Sequence, residues 1–68
     1  MLPNEEEIKQ DSEQVIQMIR LHPNCKFSEL QSLCGLKNTS LCMALIHLLR
    51  HNRIRQEWSK DGIYYCIA

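Results

Sequence analysis

FSELQSLCGLKNTSLCMALIHLLRHNRIRQEWSKDGIYYCIA, residues 27–68, changes its hydrophobic period from helical to alternating part-way along, and that change decides the fold. Ser28 offers a hydroxyl to a first helical turn, with Gln31 in the reciprocal position, and Leu30, Leu33 and Cys34 follow at helical spacing. Gly35 supplies the left-handed conformation that closes this short helix. Asn38 or Thr39 can cap a third helix, predicted to run through about His51, in which Leu41, Leu45, Leu48 and Leu49 fall within one core-facing arc. Asn52 ends it, because Asn tolerates left-handed geometry. Beyond it Ile54, Gln56 and Trp58 alternate with Arg55 and Glu57, and Ile63, Tyr65 and Ile67 alternate with Tyr64 and Cys66. These are two strands, and Ser59-Lys60-Asp61-Gly62 between them carries the Asp-Gly pair that suits a tight reversal into an antiparallel hairpin. Trp58 and Tyr65 share pleat faces with the three isoleucines and are predicted to cover the helices, leaving Tyr64 toward solvent.

Working outward toward the N-terminus, Cys25-Lys26-Phe27 reads as a short extended piece, and Pro23 forces a stop and a turn at His22-Pro23-Asn24. Before it Ile8, Val15, Ile16, Ile19 and His22 line one side of an amphipathic helix. Asn4 with Glu7, or Asp11 with Gln14, can cap its start; the expectation is a firm helix from about Asp11, with residues 1–10 a looser beginning. The whole is one domain, residues 1–68, of α+β class.

Composition narrows the function. Eight basic and eight acidic side chains cancel, which excludes a polyanion binder driven by bulk charge. The distribution is uneven: Glu5, Glu6, Glu7, Asp11 and Glu13 against Lys9 leave residues 1–19 at −4, and the remaining chain sits at +4. From Lys37 to Arg55 there are bases and no acid. The longest apolar run, 41–49, is broken by His47 and falls far short of the roughly 20 residues that span a bilayer. No basic start with an apolar run follows Met1, so a cytoplasmic location is expected. Cys25, Cys34, Cys42 and Cys66 are irregularly spaced and read as reduced apolar fillers.

Three helices, the second short and followed by a glycine turn, and then a hairpin, follow the order of a winged helix-turn-helix. Residues 27–68 resemble the core of bacterial winged-helix transcription regulators, including the very small regulators of fimbrial operons. Leu30 matches the buried aliphatic of the second helix, Gly35 the turn glycine, Leu36 the apolar residue after it, Leu41 and Leu45 the packed positions of the recognition helix, and Asn52 the frequent glycine before the wing. Gln31 stands where the family usually has a small residue. The resemblance implies a small cytoplasmic DNA-binding regulator, with the third helix in the major groove of double-stranded DNA and the hairpin as a wing on the phosphate backbone.

On that reading the face opposite the leucine arc presents Thr39, Ser40, Met43, His47 and Arg50, with Ile46 at its flank. Lys37, Asn38, Thr39 and Ser40 cluster at the helix N-terminus, where amide, hydroxyl and backbone N–H groups hold a phosphate, and Arg53, Arg55 and Lys60 are placed to grip the backbone. The middle turns of the helix lack Arg, Lys, Gln and Asn, and an exposed Met43 and Ile46 also suit a protein partner or a homodimer seam. A winged-helix interaction module without independent DNA binding therefore stays as the alternative, its partner a second copy or a regulatory protein. Enzymatic and metal readings have less behind them. His47 and His51 form an HxxxH pair, but Leu48 stands where a zinc protease needs its general-base Glu. No Gly-rich phosphate loop occurs, so neither a cofactor, a small-molecule substrate nor catalysis is expected.

Overall fold

The computed structural model describes residues 3–68. It is an α+β domain of three helices and one three-stranded antiparallel sheet, in the chain order α1 (Glu5–Leu21), β1 (Cys25–Lys26), α2 (Phe27–Cys34), α3 (Asn38–Arg50), β2 (Ile54–Ser59) and β3 (Gly62–Ile67).

The first helix begins a turn and a half earlier than expected. Asn4 is its cap, the side-chain Oδ1 accepting the Glu7 backbone N–H at 2.8 Å. Glu5, Glu6 and Glu7 then occupy the first turn, where carboxylates complement the positive end of the helix dipole. Of the two candidate caps the upstream one operates, so residues 5–10 are helical and not a loose beginning. The helix stops before Pro23, with Asn24 at a φ of 62°.

Both later helix starts also differ from expectation. α2 starts at Phe27, and the Glu29 side chain reaches back to accept the Lys26 N–H at 3.2 Å, so Ser28 lies inside the helix instead of capping it. α3 starts at Asn38 directly after Lys37 without a side-chain cap. Asn38 is engaged elsewhere: its Oδ1 accepts from the Gln31 amide, which ties the two helices across the turn. Their other ends match the sequence, with Gly35 at a φ of 69° closing α2 and Asn52 at 56° following α3.

The sheet contains one strand more than the hairpin. β1 pairs with β3 through Cys25 opposite Tyr65 and Lys26 opposite Tyr64, which puts β3 in the middle of the order β1-β3-β2. β2 and β3 run in register from Ile54 opposite Ile67 to Ser59 opposite Gly62. Ser59 holds the reversal, its Oγ accepting from the Asp61 N–H at 3.1 Å and lying 3.2 Å from the Gly62 carbonyl.

The core forms where the apolar stripe of α1, Val15, Ile16 and Ile19, meets Leu41, Ala44, Leu45 and Leu48 of α3, Leu30 of α2, and Ile54 and Tyr65 of the sheet. Ser12 is buried at the crossing of α1 and α3; its hydroxyl donates to the Ile8 carbonyl at 2.6 Å, which satisfies the one polar group there. Leu49, placed in the core arc by periodicity, is half-buried at its edge. Cys25 and Cys34 are buried and unbridged, and burial pushes both thiols above their ordinary range. Trp58 does not cover the helices. Its side chain is 76 % exposed, on the edge strand β2 close to the hairpin turn. Tyr64, expected toward solvent, is half-buried beside β1, with Lys26 Nζ 5.5 Å from its ring centroid.

Candidate nucleic-acid interface

The interface candidate is built on α2, the turn at 35–37 and α3. The two helix axes are bent by 110°. Gly35 makes the bend available, since its left-handed backbone lets the chain leave α2 sharply, and its N–H still closes on the Gln31 carbonyl at 2.8 Å. Gln31 fixes the turn from inside: its amide donates to the Leu36 carbonyl at 3.4 Å as well as to Asn38. A small residue at this position would allow a closer crossing; the glutamine bridges the gap instead.

Packing against α1 decides which α3 side chains reach solvent. Thr39, Cys42, Ile46 and Arg50 are exposed, Ile46 by 49 %. Ser40, Met43 and His47, expected on the outward face, are half-buried because α1 lies along that flank. There Glu5, Ile8 and Lys9 of α1 form one wall of a groove and Met43, His47 and Arg50 part of the other. The outward centre line of α3 is thus rotated toward Ile46 and Cys42. Cys42 was missed as a surface residue because small apolar fillers and surface thiols look alike in sequence.

His47 and His51 sit one turn apart with ring centroids 4.4 Å apart, tilted by 49°. Burial, and then the nearby positive groups His51, Lys9, Arg50 and Arg53, hold the His47 imidazole below its ordinary pKa of 6.5. It is neutral at pH 7 and offers one donor and one acceptor. Among the described residues no group of three metal-ligating side chains converges, and no single helix is long and apolar enough to cross a membrane.

The proposed backbone clamps differ in their freedom. Arg53 Nη1 donates to Glu13 Oε1 at 2.9 Å, an ion pair between β2's approach and α1 that no local sequence signal announces. Arg55 lies 3.8 Å from Glu57 on the same strand. Lys37, Asn38 and Arg50 are exposed along α3, and Lys60 is exposed at the hairpin turn. Among the described residues Lys37, Arg50 and Lys60 enter no ion pair. With the fold and this surface described, comparison with known proteins adds no relative: no protein-family model, curated protein or solved structure matches the chain.

Proposed function

We propose that the chain is a winged-helix DNA-binding module and acts as a small transcriptional regulator in the cytoplasm, by occupancy and not by catalysis. The observation that carries this reading is the short α2, the left-handed Gly35 and the 110° bend into α3, followed at once by an antiparallel hairpin. A bend of about 90–120° across a short glycine turn is how a helix-turn-helix offers its second helix to a major groove. In this arrangement Thr39, Ile46 and Arg50 meet base edges, with Met43 and His47 at the groove margin. Lys37, Asn38 and Ser40 hold phosphate at the helix start, Arg55 and Lys60 serve the flanking backbone, and Arg53 joins them once freed from Glu13. Arg50 is the only side chain among the base-facing residues able to make a bidentate pair with guanine, so sequence discrimination is shallow.

Anisotropy titrations of short labelled duplexes from about 50 to about 200 mM salt test the reading. Affinity is expected to fall steeply with salt and to weaken for every sequence in Lys37→Ala and Arg55→Ala; no binding at the low-salt end removes it. A second reading, a protein-interaction module, is favoured by one specific feature. Glu5 stands in the same groove as Arg50, and Glu13 occupies Arg53, so carboxylates border the cationic surface. On that reading Ile46→Glu abolishes a protein complex and leaves any DNA affinity's salt slope unchanged.

A further inference from the structure

β2 is an open edge of the sheet, since β3 lies between it and β1. Its register with β3 fixes which main-chain groups are free. The Ala68 N–H donates to the Arg53 carbonyl, and antiparallel ladders alternate bonded and unbonded positions. Arg55 and Glu57 are in phase with Arg53 and spend their main-chain groups on β3. Ile54, Gln56 and Trp58 therefore point N–H and C=O outward, on a strand exposed from Arg55 to Ser59.

The side chains along this edge are antisymmetric in charge about Gln56. Laid antiparallel on a second copy with the two Gln56 residues facing, Arg55 falls opposite Glu57 of the partner subunit, and Glu57 opposite Arg55 of the partner subunit. These are the non-hydrogen-bonded pairs of such a ladder, whose side chains approach most closely, so the geometry suits ion pairs. A parallel in-register pairing would instead set like charge on like. Within one chain Arg55 and Glu57 are only 3.8 Å apart at their nearest and both more than half exposed, so little holds them to each other. Trp58 adds an independent observation: the chain's single tryptophan is 76 % exposed, and in this pairing it falls opposite Ile54 of the partner subunit, beside that subunit's core.

We infer that β2 pairs antiparallel with β2 of a second copy about a two-fold axis at Gln56, joining the two sheets into one through reciprocal Arg55–Glu57 pairs and covering Trp58. Charges on an edge strand commonly prevent such pairing. Here their order selects it, because only the antiparallel self-pairing cancels them. The interface is one short strand, so the dimer is concentration-dependent. The inference does not rest on DNA binding.

Sedimentation velocity from about 1 µM to about 1 mM, with Trp58 emission followed over the same range, tests it. The wild type should pass from monomer to dimer while the emission shifts to the blue. Arg55→Glu and Glu57→Arg should each weaken the dimer by at least about tenfold, since each turns both attractive pairs into repulsive ones. The double exchange R55E/E57R should return to within a few-fold of wild type, and an equimolar mixture of the two single variants should form a heterodimer. A wild-type chain that stays monomeric throughout overturns the inference, as do single variants that dimerise as well as wild type. A folded double variant that fails to recover does the same. The wild-type series decides the matter alone if a variant does not fold.

Discussion

Glu13→Gln separates two roles of one ion pair. The Arg53–Glu13 contact is short at 2.9 Å, but its side chains are 43 % and 62 % exposed. At that distance in water-like dielectric the bare Coulomb attraction is about 1.4 kcal/mol. Side-chain ordering and salt reduce exposed pairs to about 0.2–1 kcal/mol, so losing the carboxylate should lower stability by no more than that. The consequence for DNA runs the other way. Freed from Glu13, Arg53 can neutralise one further phosphate, which steepens the plot of log affinity against log salt by about 0.9. Over a fourfold rise in salt, the variant should therefore lose about 3.5-fold more affinity than wild type, having started tighter at low salt. Urea unfolding gives the stability and anisotropy titrations give the slope. Parallel salt plots for the two proteins would refute Arg53 as a backbone clamp. A stability loss above about 2 kcal/mol would refute the treatment of the pair as solvent-screened.

Three further outcomes follow from the packing. Leu48→Ala empties a fully buried site and should cost about 2–5 kcal/mol, whereas Leu49→Ala at the core's edge should cost about 1 kcal/mol; equal shifts in urea midpoint would contradict the observed burial. His47 is held below its ordinary pKa by burial and by His51, Lys9, Arg50 and Arg53, with Glu5 the acid across the groove. Between the depressed folded value and 6.5 the unfolded chain binds more protons, so this group's contribution is present above 6.5 and is lost as pH falls toward the folded value. Melting curves at pH 7.5 and 5.5 should show a smaller difference in His47→Gln than in wild type, and an unchanged difference would refute the shift. Gly35→Ala meets no neighbouring atom, so its whole cost is the left-handed backbone, about 1–2 kcal/mol, and Gly35→Asn should cost less; a variant as stable as wild type would remove the strain argument for the turn.

What could be read from the sequence follows the range over which each signal acts. Gly35, Asn52 and the hairpin reversal were legible because left-handed backbone and tight turns are decided by residues within a few positions. The cap of α1 was ambiguous because Asn4 and Asp11 satisfy the same local rule. The choice falls to Asn4 since Ile8 then joins the groove wall against α3, a contact invisible at short range. Trp58 shows the limit of alternation. Period two correctly assigned it to the pleat face of Ile54 and Tyr65, but how much of that face the helices cover is set by tertiary packing, which no strand pattern encodes.

The same limit governs the candidate site. An arc of leucines tells which side of α3 is inward, and the opposite side is outward only if nothing else packs there. α1 lies along one flank, so the exposed line shifts from Met43 and His47 toward Ile46 and Cys42, and the surface has an apolar centre with Lys37 and Arg50 toward its ends. The acids of α1 then decide how much of the remaining positive charge is available. Glu13 is forty residues from Arg53 in the chain and 2.9 Å from it in space. A domain with no net charge binds a polyanion only through such local separation of sign. The folded position of α1 thus bears on function as directly as the residues of α3 do, and that is why Glu13→Gln is the substitution that most sharply tests the surface.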